Sequence, residues 1–155
     1  MSAPSHTASA TTEYVTVTIG DHLFGLPIAR VQDVFVPDRL TRVPLATSEV
    51  AGILNLRGRV VTAIDMRSRL DLGAQAPGKT VMAIGIEFKG ESYGLLVDAV
   101  GEVMALPDSE RQAKPSNLDP RLARVAAGVY RLEGQLLVVL DVDCVLDIRS
   151  GAAAA

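Results

Sequence analysis

Apolar and polar residues alternate along most of this chain with the two-residue period of half-buried β-strands. Residues 14–19 show the pattern clearly, because Val15, Val17 and Ile19 alternate with tyrosine and threonine. The segments 23–28 and 31–36 fit either two further strands or one bent strand. Similar apolar runs, separated by turns that contain glycine or proline, predict strands over 52–57, 60–64, 81–88, 93–97 and 100–106.

Two short helices are predicted between these strands. Asp65 precedes residues 66–70, and Asp119 with Pro120 precedes a helical spacing of apolar residues. Aspartate is a favoured N-cap residue because its carboxylate accepts hydrogen bonds from the first N–H groups of a helix. We therefore predict one helix over 66–70 and another over about 119–127.

The pattern occurs twice in the chain. The segment GILNLRGRVVTAIDMRSRLDL, residues 52–72, matches GVYRLEGQLLVVLDVDCVLDI, residues 128–148, at an offset of 76 positions. An earlier pair of segments, which start at Phe24 and Tyr93, matches at an offset of 69. The chain is therefore a duplication whose second copy has seven additional residues, which we expect within 107–127.

The duplication predicts an all-β architecture of two small five-stranded barrels. The two tandem units, at about 13–72 and 81–148, each contain about five short strands with frequent turns. A unit of roughly 60 residues has few residues for a core of its own. We therefore expect the units to share a buried seam that leaves a groove. Residues 1–12 and 149–155 are predicted to be flexible tails outside this single domain.

The two predicted hairpin turns have the same glycine but different neighbours. Gly58 and Gly134 each separate two apolar runs, and glycine adopts the positive φ of such turns without strain. The preceding residue is Arg57 in the first copy and Glu133 in the second. Since the turn needs neither charge, the difference indicates either a solvated turn residue or a charged contact made by the first copy.

The overall composition argues against several classes of protein. The chain has 155 residues, a formal charge of −3 and an isoelectric point near 5.3, which gives no electrostatic footprint for nucleic acid. Its apolar runs are much shorter than the roughly 20 residues of a membrane-spanning helix. The single cysteine, Cys144, lies in an apolar run and is predicted to be a buried thiol of a reduced cytoplasmic protein.

The chain has few residues in arrangements that are typical of catalytic sites. Residues 73–80, GAQAPGKT, satisfy the phosphate-loop pattern, but that motif requires a following helix and the next residues have strand character. Asp65 and Asp141 occupy equivalent positions in the two copies, which favours helix caps over a unique catalytic carboxylate. We predict a protein that is not an enzyme and has no cofactor or metal. A nucleotide-binding enzyme that uses Lys79 is the alternative from a different class.

Several segments together resemble one family. The segment NLRGRVVTAIDMR, the segment VQDV at 31–34 and the segment YGLLVDAVGEV at 93–103 are similar to the CheW family, the coupling proteins of bacterial chemotaxis. The resemblance covers residues 13–148 and implies two SH3-like five-stranded β-barrels. It also implies a cytoplasmic scaffold without catalysis. Such a scaffold joins the regulatory domain of the CheA histidine kinase to the cytoplasmic hairpin tips of chemoreceptors in membrane-associated arrays, and it neither inserts into the membrane nor binds nucleic acid.

The resemblance further implies which residues contact these partners. They are Val31, Asp33, Asn55, Leu56, Arg57, Val100 and Val103. The three valines would supply apolar area to a groove that receives the helical receptor tip. The arginine and the aspartate would add charged contacts, and the asparagine and leucine stand beside the hairpin turn.

Two further alternatives stay open at this point. A coupling protein of a specialised chemosensory system, such as one that controls pili or development, would have the same motifs. A generic SH3-like module would bind extended proline-rich peptides on aromatic platforms. The chain has three Phe, three Tyr and no Trp, which makes such a module less attractive.

Overall fold

The computed structural model describes residues 10–37, 50–56, 58–73 and 81–146, which form ten β-strands and three short α-helices. The strands are β1 (Thr11–Ile19), β2 (His22–Pro27), β3 (Asp33–Phe35), β4 (Val50–Leu56), β5 (Arg59–Asp65), β6 (Met82–Phe88), β7 (Glu91–Val97), β8 (Ala99–Pro107), β9 (Ala126–Leu132) and β10 (Gln135–Leu140). The helices are α1 (Met66–Arg69), α2 (Pro120–Ala123) and α3 (Val142–Val145). Within these ranges, no helix combines the length and the apolar composition that spanning a bilayer requires.

The strands form two five-stranded sheets, each of which combines strands of both copies. The first sheet has the order β8–β1–β2–β10–β9, and the second has the order β3–β6–β7–β5–β4. Neighbouring strands are antiparallel except for two parallel pairs, β2 with β10 and β5 with β7. The predicted all-β fold of two five-stranded SH3-like barrels is confirmed. The two units are expected to be intertwined at their seam, and each sheet takes strands from both of them, so neither unit forms a barrel by itself.

Two predicted elements are shorter than expected. Val31 lies outside β3, because the chain first makes a one-turn 3-10 helix at Ile28–Arg30. The helix predicted over 119–127 ends at Ala123. The residues that follow pair with β10, so that sheet hydrogen bonds replace helical ones.

The expected N-terminal tail and the expected buried cysteine also need correction. Strand β1 begins at Thr11, because Thr11 and Thr12 pair with the end of β8. Residues 1–9 and the predicted tail 149–155 lie outside the described residues. Cys144 is exposed, because α3 turns Val142 and Val145 into the core and leaves the two residues between them on its outer side.

The largest hydrophobic cluster joins the two sheets, and we call it the shared core. It contains side chains from β1, β2, β9 and β10 of the first sheet, from β5, β6 and β7 of the second, and from α1 and α3. Alternate residues of the strands form a smaller cluster in each sheet. One is built around Tyr14 and Tyr130, and the other around Leu54 and Val61. Since a fully buried large apolar side chain contributes roughly 1.5–3 kcal/mol, most of the apolar stabilisation comes from the shared core.

A pair of hydrogen bonds outside the named strands closes the first sheet. The N–H of Gln112 donates to the carbonyl of Val129 at 2.8 Å, and the N–H of Val129 donates back at 2.9 Å. Gln112 follows β8 and Val129 lies in β9, which are the two edges of this sheet. The chain that follows β8 therefore pairs with β9, and the backbone groups there have partners that an open edge would lack.

Turns and caps occur at equivalent places in the two copies. Gly58 and Gly134 both have a φ of 82°, in the left-handed region that glycine adopts without strain. Asp65 caps α1 by accepting from the N–H groups of Arg67 at 3.0 Å and Ser68 at 3.3 Å. Asp141 caps α3 by accepting from the N–H of Cys144 at 3.3 Å. Each hairpin therefore leads through an aspartate into one turn of helix.

One ion pair connects the two copies beside the shared core. Arg67 donates to Asp98 from Nε at 2.9 Å and from Nη2 at 2.6 Å, and the two side chains are 20% and 15% exposed. Asp98 also accepts from the backbone N–H of Gly20 at 2.8 Å. The hydrogen bonds from Arg67 lower the pKa of the Asp98 carboxyl, against the opposing effect of burial. The carboxylate thus joins α1, the β1–β2 turn and the end of β7.

We expect Asp98→Asn to lower the free energy of unfolding at pH 7 by about 2 kcal/mol, since hydrogen bonds to charged groups contribute roughly 1.5–3 kcal/mol. Because the pKa of Asp98 is lowered by folding, its carboxylate stabilises the fold above the unfolded pKa of about 3.9. That contribution is lost as the pH falls through the lower folded pKa. Urea unfolding of both proteins from pH 7 to pH 3 measures the difference, and a difference that does not shrink would contradict this account.

Candidate partner-binding site

Strand β8 is an edge of the first sheet and carries apolar side chains that reach the surface. Val100 faces Val17 of β1, and Val103 faces Val15. Both β1 valines belong to the shared core, and directly opposed residues in an antiparallel pair have their side chains on the same face. Val100 is half-buried and Val103 is 49% exposed. The two side chains therefore extend the face of the shared core towards solvent.

The connection between β2 and β3 brings a third predicted valine to the same core. Val31 is half-buried and packs against the shared core, and it matches Val100 at the repeat offset of 69. Asp33 opens β3 opposite Gly85 of β6. A Cβ on Gly85 would collide with the Asp33 carboxylate, so the glycine makes room for this acidic side chain over β6. Val31 and Val100 thus border the shared core at the two equivalent connections.

Val34 is a further exposed valine that the sequence reasoning missed. It is 40% exposed and faces the buried Ile84 of the shared core across the pair of β3 with β6. At the repeat offset of 69 it corresponds to Val103, which is exposed to a similar degree. Applying the repeat to every predicted site valine would have found it. It adds apolar area to the face that already includes Val31.

The predicted hairpin residues form a second group at the tip of β4 and β5. Arg57 lies outside the described residues. Asn55 is exposed, and its Oδ1 accepts from the N–H of Gly58 at 2.9 Å, so this side chain holds the turn. Leu56 is half-buried and packs on the small cluster of the second sheet, as Phe35 of β3 does. On the other side of the turn, Val60 is 63% exposed.

These two groups can bind a partner but show no catalytic arrangement. In the part of the chain that the structure describes, no three His, Cys, Asp or Glu side chains gather as metal ligands would. Residues 74–80 of the phosphate-loop pattern lie outside that part. Strand β6 begins at Met82, however, where the motif requires a helix whose N-terminus faces the phosphates. Exposed apolar side chains beside polar ones are the kind of surface that protein interfaces use.

Comparison with known proteins gives consistent matches over almost the whole chain. Residues 13–150 match the model of the CheW-like domain. The chain is 29% identical over 152 residues to the chemotaxis protein CheW of Rhizobium meliloti (strain 1021), with 98% of each chain covered. It is 27% identical over 131 residues to chemotaxis protein CheW of Bacillus subtilis (strain 168), with 84% of each covered. The solved scaffolding protein TtCheW from Thermoanaerobacter tengcongensis is similar with a TM-score of 0.75 and 26% identity, over 84% of this chain and 89% of that chain.

The hydrogen bond at the hairpin tip leads to a stability prediction. We expect Asn55→Ala to lower the free energy of unfolding by about 1 kcal/mol, because the N–H of Gly58 loses its side-chain acceptor. Asn55→Asp is the matched control, since a carboxylate still accepts the bond and should leave stability within about 0.5 kcal/mol of the wild type. Urea unfolding at pH 7 compares the three proteins. Equal losses in both variants would contradict a structural role for the amide oxygen.

Proposed function

Because its family model spans most of its length, the chain belongs to the CheW-like domain family, and we propose that it couples a CheA-type histidine kinase to the cytoplasmic hairpin tips of chemoreceptors. The relatives named above are chemotaxis proteins, and the solved neighbour is a scaffolding protein. The chain is accordingly a chemotaxis coupling scaffold. The observation that carries the finer proposal is the half-exposed row of valines at the border of the shared core.

The valines support a helical partner on the receptor side. Val31, Val100 and Val103 leave apolar surface at the edge of a core that joins two sheets, and Val34 extends it. An amphipathic helix recognises such a surface by placing its apolar face along it. A receptor tip made of two helices presents that kind of face. The sheets supply a rigid support, so that little conformational entropy is lost on binding.

The hairpin tip supports a separate contact for the kinase. Arg57 stands at the turn where the second copy has Glu133, so the two copies differ in charge at an otherwise equivalent place. Val60 and Asn55 are exposed on either side of it. An exposed apolar residue beside a charged one fits the polar rim and apolar centre of a protein interface. In this proposal Asp33 of strand β3 provides a second charge.

The proposed role requires no chemistry from this chain. A scaffold acts by holding two partners in a fixed relation, and both proposed contacts are noncovalent surfaces. We place the protein in the cytoplasm, where receptor tips and the kinase are accessible, and we propose that binding to the receptors recruits it to membrane-associated arrays. The same contacts would serve a flagellar or a specialised chemosensory system.

Val103→Asp tests the receptor side of the proposal. Val103 is 49% exposed, so the new carboxylate remains hydrated in the free protein but is desolvated under a bound helix. We expect the Kd for a purified receptor cytoplasmic fragment to rise at least tenfold, measured by isothermal titration calorimetry. Val60→Asp is the matched control, with the same substitution at a position 63% exposed on the other sheet, and should stay within twofold. Unchanged affinity in Val103→Asp would contradict the proposed groove.

Arg57→Ala tests the kinase side. We expect the variant to capture several-fold less kinase regulatory domain in a pull-down, while its free energy of unfolding changes by no more than about 0.5 kcal/mol. Glu133→Ala, at the equivalent turn of the second copy, is the control and should capture as much kinase as the wild type. The proposal of a specific contact would fail if the reduced capture of the kinase domain were explained by unfolding of Arg57→Ala. It would also fail if both variants captured equally less kinase domain.

A further inference from the structure

Within the described strands, the chain passes from one sheet to the other at two equivalent places. It leaves the first sheet after β2, through Ile28–Arg30, and enters β3 of the second. It returns after β7, through Asp98, and enters β8. Each passage leads directly to a valine of the proposed groove, Val31 in the first case and Val100 in the second.

An ion pair stands at each passage, and the two pairs have opposite polarity. Asp98 in the second passage pairs with Arg67 of α1. Arg30 in the first passage pairs with Asp143 of α3. At the repeat offset of 76, Arg67 and Asp143 are equivalent residues of the two helices. Each pair therefore joins the passage of one copy to the helix of the other, with the acid on the passage in one pair and on the helix in the other.

The two pairs differ sharply in how firmly they are held. The Arg67–Asp98 pair is bidentate at 2.9 and 2.6 Å, and its side chains are only 20% and 15% exposed. In the other pair, both terminal nitrogens of Arg30 lie 3.4 Å from one oxygen of Asp143, and the side chains are 37% and 68% exposed. Exposed pairs of this kind contribute little to stability. Arg30 borders a cavity of about 300 Å³, whose other lining residues include Tyr14, Arg111 and Asp141.

The firm pair acts on the start of β8. The Asp98 carboxylate accepts a hydrogen bond from the backbone N–H of Gly20. The backbone N–H of Asp98 donates to the carbonyl of Thr18 at 3.0 Å. Ala99 then faces Thr18, and Val100 faces Val17. The carboxylate is therefore anchored two residues before Val100 and fixes the point at which β8 joins β1. No comparably short ion pair among the described residues stands beside Val31.

From this difference we infer that Arg67 and Asp98 are positioning residues for the partner groove. They hold its Val100 border in place on the shared core, while the Val31 border, held by the loose Arg30–Asp143 pair, adjusts to the bound helix. A border fixed before binding loses less conformational freedom when the partner arrives, and this raises affinity. The inference rests on the proposed function, because the groove's occupant is the helical receptor tip proposed above.

The test compares the full-length variants Asp98→Asn and Asp143→Asn, which remove the acid of the firm and of the loose pair. Titration calorimetry with a receptor cytoplasmic fragment and with a kinase regulatory domain is done at a temperature where circular dichroism shows all proteins folded. We expect the receptor Kd to rise about tenfold in Asp98→Asn and the kinase Kd to stay within twofold. Asp143→Asn should leave the receptor Kd and the kinase Kd within twofold of the wild-type values. Amide hydrogen exchange over residues 98–103 should accelerate at least tenfold in Asp98→Asn only.

Three results would overturn the inference. One is an unchanged receptor Kd in Asp98→Asn although exchange of 98–103 has accelerated. A second is a proportional rise of the receptor Kd and the kinase Kd in Asp98→Asn, because a merely structural role would weaken both binding sites together. The third is equal exchange of 98–103 in the two variants, which requires no partner to measure. Failure of the wild type to bind either fragment would instead refute the proposed function, and the exchange comparison would still decide whether the pair positions β8.

Discussion

The shared core is the constraint on which the rest of this structure depends. Among the residues that the structure describes, it contains 22 buried residues, whereas the clusters confined to one sheet contain five and three. Neither half could bury comparable apolar surface alone, and small domains are marginal for that reason. Exchange of strands solves the problem, because each sheet takes strands from both copies and the chain must pass twice across the seam. The fold is therefore one cooperative unit even though its sequence is a tandem repeat.

The same core also leaves apolar side chains exposed at its border. Val103 of the edge strand β8 and Val34 of the edge strand β3 are 49% and 40% exposed. Such a surface is apolar because its side chains lie opposite residues of the shared core across the strand pairs. It is rigid because it belongs to the sheets. In the proposed binding mode, a helix on this surface would contact residues of both copies.

Much of this could be predicted from local sequence, and the remainder could not for physical reasons. Strand period, the glycine turns and the aspartate caps depend on neighbouring residues, so Gly58, Gly134 and Asp65 could be read from the sequence. Strand exchange depends on contacts between residues far apart, and alternation does not say which strands pair. Cys144 looked buried because its neighbours are apolar, yet one helical turn was enough to direct it outwards. The Arg67–Asp98 pair spans 31 positions, and no local pattern marks it.

Duplication alone gives two equivalent surfaces, while a coupling protein needs two different ones. The backbone remains nearly equivalent in the two copies, as the matching turns and caps show. The copies nevertheless differ in charge at equivalent places: Arg57 stands against Glu133 at the hairpin tips, and the ion pairs at the passages between the sheets are reversed. A charge change at a solvated turn costs the fold little, whereas the Arg67–Asp98 pair contributes to its stability. A symmetric scaffold can therefore acquire distinct binding surfaces through substitutions that leave the shared core intact.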